Sequence, residues 1–172
     1  MQATLDAWHA LIAAQDAGTV RKIGVSNVYD VRVLTALGEL RKVQVVQNRW
    51  YEGNMWDPDV WRYCKDQGIE YQFVTVSLCW CRGLTFNFRR SFWTLSGSTS
   101  LLTHPAVATI SGRLDVTPAQ VIFKLVQLHS IVPLTGTTNE LHMQQDLAAE
   151  RIAFREDVDS ELKSITEYIW GR

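Results

Sequence analysis

Three groups of small polar residues stand where short, apolar, β-prone runs of the chain stop. Ser26-Asn27 follows Lys22-Ile23-Gly24-Val25, Gln47-Asn48 follows Val43-Gln44-Val45-Val46, and Thr135-Gly136-Thr137-Thr138 follows Ile131-Val132-Pro133-Leu134. Their amides and hydroxyls are directional donors and acceptors, suited to orienting a bound molecule rather than to moving protons. The same residue types also turn a chain after a strand, and the sequence leaves both roles open. An aromatic loop with Trp50, Tyr51, Met55 and Trp56 offers apolar surface, either to a substrate pocket formed by Trp50, Tyr51 and Trp56 or to the core over a sheet. Proton-transfer and metal chemistry find little support. His9 falls in a helix pattern, His104 precedes Pro105 and His129 sits at a helix end, none beside a partner that would make it a general base. Cys64, Cys79 and Cys81 have neither the even count of a disulfide framework nor the paired spacing of a zinc site, so no metal site is expected and the thiols are read as reduced.

The elements that must position these residues follow from periodicity and caps. Leu5, Trp8, Leu11 and Ile12 are at helical spacing, with Gly18 placed to close the helix in the left-handed conformation. Asp30 to Leu37 reads as a second helix. Pro58 suits the first turn of a third, which carries Val60, Trp61 and Cys64 and ends at Gly68, before Ile69-Glu70-Tyr71-Gln72 begins another strand. Thr117-Pro118-Ala119-Gln120 predicts a helix start with threonine as cap and glutamine reaching back. Val121, Ile122, Leu125, Val126 and Leu128 form its buried face. Glu140 to Leu147 and Val158 to Ile169 are the closing helices. A strand followed by a helix, four times over, predicts an α/β fold with a parallel sheet, about four βα units of a (β/α)8 barrel. The polar residues then lie at the carboxyl ends of the strands, the face on which such sheets bind ligands.

Composition sets outer bounds. Lys plus Arg at 17 against Asp plus Glu at 18 gives no field that recommends nucleic acid or an acidic membrane. The first residues lead into a helix containing Asp6 and His9, not a basic segment followed by an apolar run, so no secretion or membrane insertion is expected and a cytoplasmic location is.

Arg21-Lys22-Ile23-Gly24-Val25-Ser26-Asn27 resembles the aldo-keto reductase hallmark of a strand ending in Gly-Val-Ser-Asn. The likeness continues through Val45-Val46-Gln47-Asn48-Arg49, Tyr63-Cys64 with Gly68-Ile69, Thr117-Pro118-Ala119-Gln120-Val121, Pro133-Leu134-Thr135-Gly136-Thr137-Thr138 and His142-Met143, in the family's order and in its fungal form. The resemblance covers the family's carboxyl-terminal half. It implies a barrel binding NADPH, with a carbonyl reduced by hydride transfer at the strand ends. By motif position, Ser26, Asn27 and Gln47 resemble residues that hold the nicotinamide carboxamide. Phe92 resembles the aromatic residue stacked on the nicotinamide ring, followed in the same motif by Trp93 and Leu95. Thr135, Gly136 and Thr137 resemble the segment around the adenosine 2′-phosphate, and His142, Gln145 and Asp146 the helix positions facing phosphate and adenine. Leu134 stands where many relatives have lysine and His142 where many have arginine, so a 2′-phosphate would meet less positive charge.

Two departures bear on function. The family's tyrosine acid, with its lysine, aspartate and histidine, belongs to amino-terminal strands that this sequence does not contain, so no residue here inherits a catalytic role. Joining Gln72 to Ser91 would restore the family pattern, and residues 73–90 intervene. They read as translated intron sequence or as an extra hairpin with Arg82-Gly83 near its turn. The chain is thus expected to be a single partial domain over 1–172, truncated or inactive alone. The competing expectations are a half-barrel that dimerises over its open sheet edges as a nucleotide- or partner-binding module, and an enzyme of fungal secondary metabolism with a small carbonyl substrate.

Overall fold

The computed structural model describes residues 2–76 and 99–171, with the backbone alone at 74–76 and 99. Phe92, Trp93, Leu95, Cys79, Cys81 and most of the 73–90 segment lie outside the described residues. The strands form a four-stranded parallel sheet in the order β1-β2-β3-β4, each followed by helix, so the fold is α/β and a partial (β/α)8 barrel. By contacts the chain divides into two compact units, residues 1–48 with 57–72 and residues 49–56 with 73–172.

In the first unit, helix α1 (Gln2–Asp16) precedes strand β1 (Gly24–Ser26), helix α2 (Val31–Leu40), strand β2 (Val45–Asn48) and helix α3 (Pro58–Gln67). Trp8 anchors α1: its side chain is buried and its indole N–H donates to the Leu37 carbonyl at 3.1 Å. Asp30 caps α2 by accepting from the Arg32 amide, and Gly68, in the left-handed region, ends α3. β1 and β2 pair in parallel, Gly24 with Val45, Val25 with Val46 and Ser26 with Gln47. A glycine is needed at the first pair, because a Cβ on Gly24 would lie 2.2 Å from the Val45 carbonyl oxygen. The hallmark glycine is therefore a requirement of close backbone approach.

Strand β3 (Glu70–Val76) carries the chain from the first unit into the second. There follow helices α4 (Thr99–Leu102), α5 (Pro105–Leu114) and α6 (Pro118–Leu128), strand β4 (Ile131–Gly136) and helices α7 (Glu140–Ala148) and α8 (Asp159–Trp170). The α6 start is as the sequence predicts. Thr117 Oγ1 accepts from the Gln120 amide at 3.3 Å while Gln120 Oε1 accepts from the Thr117 amide at 2.9 Å. Val121, Ile122, Phe123, Leu125 and Val126 are buried along α6, each contributing about 1.5–3 kcal/mol on burial.

The structure adjusts several element boundaries. β1 and β2 begin two residues later than their apolar runs and include Ser26, Gln47 and Asn48, because backbone pairing in register carries the ladder past the last apolar side chain. β4 likewise runs to Gly136, taking in two residues read as loop. Leu128 is not part of the buried face of α6. It lies in the last turn, before the chain reverses through Ser130 in the left-handed region, and is 59% exposed. Of the 73–90 segment, Phe73 extends β3 and is fully buried.

Candidate functional site

The first unit presents amides and a hydroxyl at the ends of two adjacent strands. Ser26 and Gln47 are register partners, and the Asn27 amide donates to the Gln47 carbonyl at 3.1 Å. Asn27 then leaves the ladder at φ 56°, a conformation asparagine tolerates better than most residues. Its Nδ2 donates to Ser26 Oγ at 3.1 Å, and both residues are exposed. Gln47 is half-buried and oriented from below: its Nε2 donates to Gln72 Oε1 at 3.3 Å, Gln72 Nε2 donates to Glu70 at 2.5 Å, and Glu70 accepts from Lys22 Nζ at 2.7 Å. The bond from Lys22, then that from Gln72, holds the Glu70 carboxyl below the usual carboxylate range.

Beneath this rim is a buried polar cluster that the sequence does not announce. Asp57 is 6% exposed, and its Oδ2 accepts from Asn48 Nδ2 at 2.7 Å and from the Tyr71 hydroxyl at 2.8 Å. Asn48 reaches the other way to Val28, its Nδ2 donating to the Val28 carbonyl at 2.6 Å and its Oδ1 accepting from the Val28 amide at 3.0 Å. Burial pushes the Asp57 carboxyl up to about 6, held back by the bonds from Asn48 and Tyr71, with Asp59 adding a like charge. Burial and then the Asp57 charge push the Tyr71 hydroxyl upward, and the same two causes push the Cys64 thiol up to about 12. Neither Tyr71 nor Cys64 is therefore a nucleophile or base near neutral pH.

In the second unit, Thr135, Gly136, Thr137 and Asp146 line one cavity of about 430 Å³, with Phe123, Pro133, Met143 and Leu147 as apolar wall and Glu150 as a further acid. Thr135 Oγ1 donates to Asp146 Oδ2 at 2.5 Å. His142 and Gln145 line a neighbouring cavity of about 270 Å³ that shares Asp146 with the first. Among the described lining residues, His142 is the one group able to carry positive charge, against the carboxylates of Asp146 and Glu150. Apolar walls with carboxylate acceptors suit an adenosine and its ribose hydroxyls better than a 2′-phosphate. The amide set of the first unit matches the donors and acceptors of a carboxamide.

The aromatic loop folds inward. Trp50 and Trp56 are buried with ring centroids 4.6 Å apart, and Trp50 lies 5.2 Å from Phe73, while Tyr51 is half-buried. Trp50 Nε1 has no hydrogen-bond partner among the described residues. Of the histidines, His9 is exposed on α1, His104 Nδ1 accepts from the Ala106 amide at 3.3 Å as the α5 cap, and His129 packs against Trp170 with ring centroids 4.2 Å apart and planes tilted by 49°. No group of metal-ligating side chains is found among the described residues, and no helix among them is long and apolar enough to cross a membrane.

Comparison with known proteins places this architecture. No protein-family model matches the chain. Crystal structures of aldo-keto reductases share its fold. An aldo/keto reductase from Brucella melitensis matches at 14% identity and TM-score 0.69, over 92% of this chain and 54% of that one. MGS-M4, an aldo-keto reductase enzyme from a Medee basin deep-sea metagenome library, matches at 20% identity and TM-score 0.70, over 94% and 54%. Among curated proteins, an uncharacterized oxidoreductase of Bacillus subtilis (strain 168), YtbE, is 21% identical over 94% of this chain and 51% of its own length. The chain has the aldo-keto reductase fold and spans about half the length of these relatives.

Proposed function

We propose that the chain is the cofactor-side half of a nicotinamide-dinucleotide-dependent carbonyl or aldehyde reductase of the aldo-keto reductase family, and that alone it binds nucleotide without catalysis. The observation that carries this reading is the Ser26–Gln47 register, which brings a hydroxyl and two amides together at adjacent strand ends of a fold shared with aldo-keto reductases. Ser26, Asn27 and Gln47 hold the carboxamide and so select the ring face. By the resemblance Phe92 would stack on the nicotinamide ring, with Trp93 and Leu95 as cofactor-binding residues of the same motif. Thr135, Gly136, Thr137, His142, Gln145 and Asp146 receive the adenosine end. The cofactor, NADP by the resemblance, supplies the hydride; the acid that protonates the carbonyl belongs to the half that this sequence does not contain. The likeness of the motifs to the family's fungal form supports a fungal protein, and the reading of its thiols as reduced supports a cytoplasmic one.

Titrating the purified chain with NADPH tests the reading by nucleotide fluorescence. Saturable binding, lost in the Ser26→Ala/Asn27→Ala double variant, is expected, together with no turnover of aldehydes. Aldehyde reduction abolished by that double variant would refute the non-catalytic assignment, and absence of binding of both NADPH and NADH would refute the whole.

A second reading is favoured by the sheet order, in which β1 and β4 are the edge strands, and by the half-length match to relatives. Two copies closing a 4+4 arrangement would cover these edges. Light scattering on the purified chain decides it: a dimer supports the reading and a stable monomer excludes it.

A further inference from the structure

The buried Asp57 cluster takes no part in the proposed binding of the carboxamide, yet it is joined by hydrogen bonds to the segment that carries it. Asp57 would be expected to cap α3, since it directly precedes Pro58, but it makes no side-chain cap bond. Its backbone sits at φ 49°, and its carboxylate is turned to Asn48 and Tyr71. A non-glycine residue in that region costs about 1–2 kcal/mol, so the tertiary bonds hold it there against its local preference.

The amide of Asn48 has a forced orientation. An ionised carboxylate only accepts, so Asn48 must turn its NH₂ toward Asp57, which leaves Oδ1 facing the Val28 N–H. The opposite flip would set the carbonyl oxygen against both Asp57 Oδ2 and the Val28 carbonyl. With both polar groups of Val28 held, the ladder that ends at Ser26 and Gln47 is continued by a side chain through the turn at Asn27.

We propose that Asp57 is a positioning residue, the charged anchor of an Asp57–Asn48–Val28 relay that fixes the Ser26-Asn27 turn in its carboxamide-binding conformation and lets go of it in acid. The proposal rests on the nucleotide-binding reading above. The groups facing Asp57 are Asn48 from β2, Tyr71 from β3, and Asp59 and Cys64 from α3, with Tyr29 of the turn acting on Tyr71. None of these is a cation. Loss of the carboxylate charge therefore removes one of the two constraints on the Asn48 amide, leaving Val28 alone to hold it, and the bonds from Asn48 and Tyr71 to Asp57 lose their charge assistance, about half their strength.

The test follows the Val28 amide and the Asn48 side-chain NH₂ by ¹⁵N NMR of the whole chain between pH 4.5 and 8. Nucleotide affinity is read in parallel with NADH, which has no 2′-phosphate to titrate. Both NMR signals should titrate with a midpoint near 6. The midpoint should vanish in Asp57→Asn and move up in Tyr71→Phe, which removes one donor to the carboxylate. If the protonated form binds no nucleotide, NADH affinity falls about tenfold at pH 5, as only about one molecule in ten keeps the anchor, and Asp57→Asn flattens the profile. Signals that do not titrate, or that titrate equally in Asp57→Asn, overturn the relay. A titrating relay with pH-independent NADH affinity overturns its coupling to the site. A titrating relay with no NADH binding at any pH overturns the nucleotide reading instead, while the ordering of the turn stands.

Discussion

Replacing Asp57 by asparagine keeps the size of the side chain and one acceptor oxygen while deleting a buried charge. In the folded protein burial moves this carboxyl from 3.8 to about 6. Because the folded value is the raised one, the native state holds the proton more tightly than the unfolded chain. The associated stability is fully present below pH 3.8 and is lost as pH rises through about 6. The difference between those values is worth at most about 3 kcal/mol, and solvent screening and local relaxation around the carboxyl bring it to roughly half that. Urea unfolding of the wild type and Asp57→Asn, run in parallel from pH 4.5 to 8, measures it as a difference, which cancels the other carboxylates. Asp30, Glu70 and Glu161 are held low by their partners and act with the opposite sign. The variant should gain on the wild type by about 1–2 kcal/mol between pH 4.5 and 7.5 and no further above that. A difference independent of pH would mean that Asp57 titrates at an ordinary value and that its burial carries no electrostatic cost.

Three further predictions concern packing, a cap and the second unit's cavity. Gly24→Ala would drive a methyl against the Val45 carbonyl oxygen at 2.2 Å and should lower stability by about 1–3 kcal/mol in denaturant unfolding, with the β1–β2 pair disturbed first. Thr117→Ala removes one half of the α6 capping box and should cost about 1 kcal/mol by the same measurement, while Thr117→Ser should cost much less. Asp146→Asn deletes one of two carboxylates lining the Thr135 cavity and should tighten binding of adenosine 2′-phosphate over adenosine, read by isothermal titration; equal affinities for the two ligands in wild type and variant would place the adenosine end elsewhere.

Much of the fold was legible in the chain because it is written in local chemistry. The Thr117-Pro118-Gln120 box, Pro58 opening α3, Gly68 closing it and Gly18 ending α1 each act within a few residues of themselves, so the sequence alone places four strands and a helix after each, though not α4 and α5. It also supplies Ser26, Asn27, Gln47 and Thr135 as the polar residues at strand ends, since alternation between apolar run and polar stop is a one-dimensional signal. The Asp57 cluster is of another kind. Asp57 lies 9 residues from Asn48 and 14 from Tyr71, and in sequence it is only the last residue of the aromatic loop before Pro58. Only the pairing of adjacent strands and a left-handed backbone at Asp57 bring the carboxylate under the rim, and only burial there shifts its titration toward neutrality. Tertiary structure likewise turned Trp50 and Trp56 into packed core, because a loop's apolar side chains show no period from which their facing can be read.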